Sequence, residues 1–333
     1  MGVSSRTASH SIRWLAVLVV GIFLVSVFVG RYPQPVFLSL NRFISDDLAQ
    51  RLVFNLRVPR LLTAILVGMS LSAAGAILQM IFGNPLVEPG FLGVSQGASF
   101  GAALSIIFLS NSAWAVQTSA ALFAFLGLGL SYMIARRVRF GGWVLRLILA
   151  GIAVSALFSS GLGILKYVAD PLSQLPEITF WLLGGLWSIT WPQLLAILPA
   201  VLIGLLVAYR MRWRLNLLSL NDETAFSLGA APDRERALLL VAAVMATSAV
   251  ISVAGMVGWV GLIIPHIARR LFGADGRFML PASMLIGATF VVLCDDLART
   301  LFPGEIPLGI LTSLTGAGAF LYLMIRQRMP ALR

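Results

Sequence analysis

The residues of this chain that can carry charge into chemistry are few and clustered. Leu56-Arg57-Val58-Pro59-Arg60 sets two guanidiniums around a proline. Asp295, Asp296 and Arg299 close one apolar stretch, and Glu305-Ile306-Pro307-Leu308-Gly309 opens the next. Glu88 sits between two prolines in Asn84-Pro85-Leu86-Val87-Glu88-Pro89. His10 and His266 are far apart and lack metal-ligand spacing, and Cys294 is the one cysteine. No Ser/His/Asp or His/Cys arrangement supports nucleophilic catalysis, so no catalytic residue and no metal site are assigned. The single lysine, Lys166, follows Gly161-Leu162-Gly163-Ile164-Leu165, with leucine where a phosphate-binding loop needs its second glycine. The chain binds no nucleotide by that route. What remains for these groups is recognition. They can present charge to an acidic partner, or pair with one another at a membrane edge, where an unpaired ion is costly.

Membrane edges are what the rest of the chain provides. Of 333 residues, 59% are hydrophobic and 11% charged, against about a quarter charged in a soluble domain. Such a chain cannot cover a water-facing surface, so lipid is its main solvent. Apolar windows of about 20 residues predict ten spans: 14–30, 61–81, 91–109, 113–135, 147–168, 192–209, 237–257, 258–268, 279–298 and 306–325. The seventh and eighth form one run broken around 255–261, and the eighth is short. Arg6 and Arg13 before the first span imitate a signal peptide, but Arg31-Tyr32-Pro33 offers no small-residue cleavage site. A retained first helix is expected.

Loop charge sets the expected orientation. Seventeen basic residues fall on the side of both termini: Arg6, Arg13, Arg136, Arg137, Arg139, Arg146, Arg210, Arg212, Arg214, Arg234, Arg236, Arg269, Arg270, Arg277, Arg326, Arg328 and Arg333. Seven fall on the other. Arginine-rich loops stay cytoplasmic, so both termini are expected inside. The net charge of +11 sits in short loops between spans and gives no reason to invoke nucleic acid.

Two cytoplasmic segments stand out. The turn of Asn84, Pro85, Glu88 and Pro89 stops a helix sharply and lacks Arg and Lys, which suggests a turn tucked into protein. The longest such loop, 220–236, holds a short amphipathic pattern: Asn221 or Asp222 as cap, Glu223, apolar Ala225, Phe226 and Leu228, and Gly229 as stop. It suits docking into a groove on another protein, or lying on lipid. Arg57 serves equally to anchor a helix at the headgroups, Arg299 to pair locally with Asp295 or Asp296, and His266 beside Pro265 to make a structural hydrogen bond.

In order and spacing, these motifs resemble the FecCD family, the membrane subunits of ABC importers of the iron-siderophore, haem and vitamin B12 type. The resemblance covers about 57–320. It rests on Arg57-Val58-Pro59-Arg60, Gly75 with Gln79, Asn84-Pro85-Leu86 with Glu88-Pro89, Gly93 with Gly97-Ala98, Ala225 with Leu228-Gly229, Gly261-Leu262 with Pro265-His266, Arg269, and Glu305-Ile306-Pro307 with Gly309. It implies an all-α membrane protein with about ten transmembrane helices in the type II ABC importer permease fold, one permease domain over 1–333. It also implies a homodimer, two ATPase subunits that bind ATP and Mg so that this chain needs no cofactor, and a periplasmic or lipid-anchored substrate-binding protein. By motif position, Arg57 and Arg299 would receive glutamates of the binding protein, and Glu223, Ala225, Phe226, Leu228 and Gly229 would form the ATPase coupling helix at about 221–230. The fifth and tenth spans would line the pathway, with a gate helix within 172–187. Gly318 departs from the family, where many relatives have proline. The expected cargo is a metal chelate, a ferric siderophore first, with haem, cobalamin and molybdate as alternatives. The competing classes are an ion-coupled secondary carrier, which needs a midplane ionisable residue not found here, and an intramembrane enzyme, which needs a catalytic cluster.

Overall fold

The computed structural model describes residues 5–31 and 36–326, with side chains from Ala8 to Ile325. Tyr32, Pro33, Arg328 and Arg333, and the side chains of Arg6 and Arg326, lie outside the described residues. Ten principal helices carry the chain: α1 Ser5–Phe28, α2 Val58–Phe82, α3 Val94–Leu104, α4 Ala113–Arg137, α5 Trp143–Val168, α6 Trp191–Arg210, α7 Pro232–Ala254, α8 Val260–Phe272, α9 Gly276–Thr300 and α10 Leu308–Arg326. Eight stretches are long and apolar enough to cross a membrane. The two remaining expected spans, the third and the eighth, are shorter than a bilayer. The helix of α3 with its π-helical end, Val94–Leu109, is one. The other is α8, whose 13 residues rise only about 20 Å against a hydrocarbon core of about 30 Å. Its path is completed by the unwound segment 255–259, where glycines interrupt what would be one helix with α7.

The second span departs most from expectation. Asp47–Leu52 is helical, Val53–Arg57 makes a π turn, and α2 follows without a break. The segment Leu56–Arg60, expected to precede the span at 61–81, therefore lies inside a 36-residue helical run, Asp47–Phe82. The wider π turn just before Pro59 accommodates a residue with no N–H to donate.

Burial sorts the helices. In α2, 83% of the central apolar window is buried, and α2 packs on α9, α7, α8 and α6. It is the hub. Its approach to α9 is close because Gly68 and Gly287 face each other's backbone, so a Cβ on either would collide. By contrast α5 and α10 bury 28% of their windows, leaving apolar faces with Leu157, Ile164 and Leu314 exposed.

Candidate functional site

At the end of the molecule expected to face outward, three carboxylates and two arginines meet. Arg60 Nε donates to both oxygens of Asp295 at 2.9 and 3.1 Å, and Nη1 to both oxygens of Glu305 at 2.9 and 2.8 Å. Asp295 is fully buried and is also 3.1 Å from Arg299 Nε. Arg299, 7% exposed, pairs with Asp296 one turn away and donates to the Val29 carbonyl at 3.1 Å. Ser26 of α1 donates to Asp296 at 2.5 Å. Arg57, half-buried, donates to the Val27 carbonyl at 3.0 Å. The two arginines read as outer-face residues thus hold the C-terminal end of α1, and Arg299 is also in the local pairing with Asp295 and Asp296. Arg60 ties α2 to α9 and to the strand of chain before α10. Nothing in the local sequence could assign that role, because its partners lie about 240 residues away.

At the opposite end, Asp222–Ser227 forms the short helix expected within 221–230, and Asn221 caps it by accepting from Thr224 N at 3.0 Å. Ala225 faces inward and is fully buried. Phe226 is 73% exposed and Leu228 56%, and Glu223 is exposed beside them. Gly229 ends the helix at φ +83°, where glycine has no steric penalty. The element is braced from behind. Arg236 pairs with Asp222 at 2.6 Å and donates to the Leu218 carbonyl at 3.1 Å, and Arg214 donates to the Gly229 carbonyl at 3.1 Å. An apolar tip on a rigid support is suited to press on, or be pressed by, another surface.

The turn after α2 is fastened to the same frame. Gly83 ends α2 in the left-handed region, and Asn84 Oδ1 accepts from Leu86 N at 2.9 Å. Pro85 and Leu86 stay exposed, while Val87 and Pro89 are buried. Glu88 precedes the 3-10 turn Pro89–Leu92, and burial pushes its carboxyl above the ordinary value. Gln79 links α2 to α8: Nε2 donates to the Gly261 and Leu262 carbonyls at 3.3 and 3.1 Å, and Oε1 accepts from Arg269 at 3.3 Å. The Gln79 and Arg269 of the family pattern are therefore one contact.

Between the two ends lies a junction of three glycines. The short helix Gln174–Leu183 follows α5 and stops at Gly184, φ +68°. Gly255, φ +66°, ends α7 against the Trp181 carbonyl, and Gly309 opens α10 against the carbonyls of Leu183 and Met256. Gly185 N donates to the Ala254 carbonyl at 2.8 Å. A Cβ at any of the three glycines would meet backbone. Trp259 stands at φ +71°, a conformation that costs a bulky residue on the order of 1–3 kcal/mol. Its ring packs edge-on against Phe320 of α10. Behind the short helix a cavity of about 630 Å³ is lined by Gln117, Glu177, Trp181, Trp187, Gln193 and Glu305, among others. Among the described residues, no group of three or more metal-ligating side chains occurs.

A polytopic helical bundle with a braced helix at one end, an ionic cluster at the other, and a glycine junction joining a short helix to α7 and α10 defines a membrane permease. The chain belongs to the FecCD transport family, whose model matches residues 17–326. It is 40% identical to a molybdate import system permease of Haemophilus influenzae over 307 residues, 92% of this chain and 90% of that one. It is 39% identical to the hemin transport system permease of Yersinia pestis, over 88% of each chain. Its fold matches a metal-chelate type ABC transporter in an inward-facing conformation with a TM-score of 0.87 at 37% identity, covering 95% of this chain and 99% of that one. It is thus a permease of an ABC transporter family, and the ion-coupled carrier is set aside.

Proposed function

We propose that this chain forms, with a second copy of itself, the pathway of an ATP-driven importer that carries a metal chelate across the inner membrane. Both termini lie in the cytoplasm, two ATPase subunits bind ATP and Mg beneath, and a substrate-binding protein docks above. One observation carries this reading. Phe226 and Leu228 are exposed on a short helix that Arg214 and Arg236 hold rigid against the bundle. ATP-driven motion pressed on that helix would pass into α7, which starts at Pro232 and ends at the Gly255 junction. The sparsely covered faces of α5 and α10 supply the surface that a second copy and the cargo would share. The cavity behind Gln174–Leu183 gives that short helix room to tilt, so it acts as the gate.

A ferric siderophore is the first candidate cargo, and molybdate the strongest alternative given the Haemophilus relative. In membrane vesicles holding permease and ATPase, with the cognate binding protein outside, labelled ferric siderophores, haem, cobalamin and molybdate are offered singly. ATP-dependent accumulation of one of them fixes the cargo. Accumulation that persists without ATP and collapses with a protonophore would overturn the importer reading.

A further inference from the structure

We infer that the crevice between α1, α6 and α9 on the arginine-rich face is a binding site for one anionic phospholipid. Its phosphate sits among Arg13, Arg212 and Arg277, and its acyl chains lie along Leu202, Leu206 and Met284. Two adjoining concavities meet there. One, of about 610 Å³, is walled mainly by apolar side chains of the three helices and rimmed by the three arginines. The other, of about 550 Å³, is lined by Arg212, Trp213, Asn216, Leu217 and Arg277. Arg212 and Arg277 belong to both, so they mark where an apolar slot opens into a polar one. That is the shape of an amphiphile.

The charges are positioned as well as present. Arg212 lies 3.9 Å over the Tyr209 ring and donates to the Tyr209 carbonyl at 2.7 Å. Arg277 lies 5.6 Å over the Phe278 ring and pairs with Asp275 at 2.6 Å. Arg277 and its neighbours hold Asp275 down at about 2, so this carboxylate stays ionised and cancels one of the three positive charges. Among the described residues, neither Arg13 nor Arg212 is in an ion pair. A net excess of two cations therefore faces the level of the headgroups, where basic pockets between helices select anionic lipids. Below them, Leu202 and Leu206 are about half exposed. Free inorganic phosphate would use only the polar slot and leave these leucines uncovered, so the apolar wall commits the site to a lipid.

The test is native mass spectrometry of the full-length protein released from nanodiscs of phosphatidylcholine and phosphatidylglycerol in a three-to-one ratio. The wild type is expected to retain one phosphatidylglycerol, enriched about tenfold over its share of the bilayer. R13Q/R212Q is expected to bring that enrichment to within about twofold of the bilayer ratio. L206W keeps every arginine, obstructs the slot, and is expected to do the same, which covers a failure of the first variant to fold. R136Q/R137Q removes two charges elsewhere on the same face and is expected to retain the lipid. Equal loss in that control would mean diffuse attraction and overturn the site. So would a wild type without enrichment, retention in both R13Q/R212Q and L206W, or a polypeptide found in the crevice instead.

Discussion

Arg60 grips Asp295 with a two-oxygen contact across 235 residues of sequence. The carboxylate is wholly buried, and the same guanidinium reaches out to Glu305, whose side chain is 40% exposed. The inner partner fixes the joint between α2 and α9, and the outer one sets the chain entering α10.

D295A would leave Arg60 and Arg299 buried without their shared carboxylate. Removing one member of a buried ionic group costs about 3–5 kcal/mol. E305Q, at the exposed end, should cost about 1 kcal/mol or less. Denaturant unfolding of the purified protein separates the two. Equal losses would mean that Asp295 is not the keystone of the cluster.

F226D changes an exposed side chain, so folding stability should move by no more than about 0.5 kcal/mol. On the proposed coupling role, ATP-driven uptake should nevertheless fall at least about thirtyfold, as for an interface anchor worth about 2 kcal/mol. Uptake in vesicles and co-purification of the ATPase read this out. Full uptake would remove Phe226 from the coupling surface.

Glu88 makes stability depend on pH in a stated direction. A carboxyl whose value is raised by burial binds its proton more tightly when folded. Stability is therefore highest below about 4.3, the ordinary glutamate value, and declines as pH rises through the raised one. E88Q should flatten that decline and raise the thermal midpoint at pH 8 more than at pH 5. A pH-independent difference would assign Glu88 a different role.

G255A and G318A form a contrasting pair. Gly255 needs its positive φ, and its Cβ would meet the Trp181 carbonyl. G255A should destabilise by more than about 1 kcal/mol. Gly318 has nothing within reach of a Cβ inside α10, so G318A should stabilise by about 0.5–1 kcal/mol. Thermal unfolding in detergent decides both.

On the proposed docking arrangement, R57E should weaken capture of the binding protein, with a loss that shrinks as salt rises. Surface-immobilised permease titrated at two ionic strengths measures this. Arg299 is buried and engaged, so its charge reversal should lower stability as well. An R57E permease that captures its partner normally would take Arg57 out of the interface.

How much of this was legible beforehand depends on the range of each interaction. Spans follow from apolar runs, and the short helix at Asp222–Ser227 from a cap, an apolar pattern and a glycine stop, all local signals. The broken eighth span was visible as glycines where a helix should continue. The π turn at Val53–Arg57 was not, because nothing in local composition marks an extra residue per turn, and the expected span began only at Leu61. In the ionic cluster, Arg60 and Arg57 look alike on paper. Only the packing of α2 on α9 gives one of them a buried carboxylate. The role of Gly184 likewise depends on Met256, which reaches it from the unwound segment between α7 and α8.

The unwound segment 255–259 also bears on how the protein is made. Irregular backbone at membrane depth is tolerable only when buried in protein or wetted by a cavity. Here its neighbours are Trp181, Gly184 and Gly309, and the last of these is synthesised some fifty residues later. The unwound segment between α7 and α8 therefore lacks one of its protein walls until α10 is in place. The last span thus completes a joint that the earlier helices leave open.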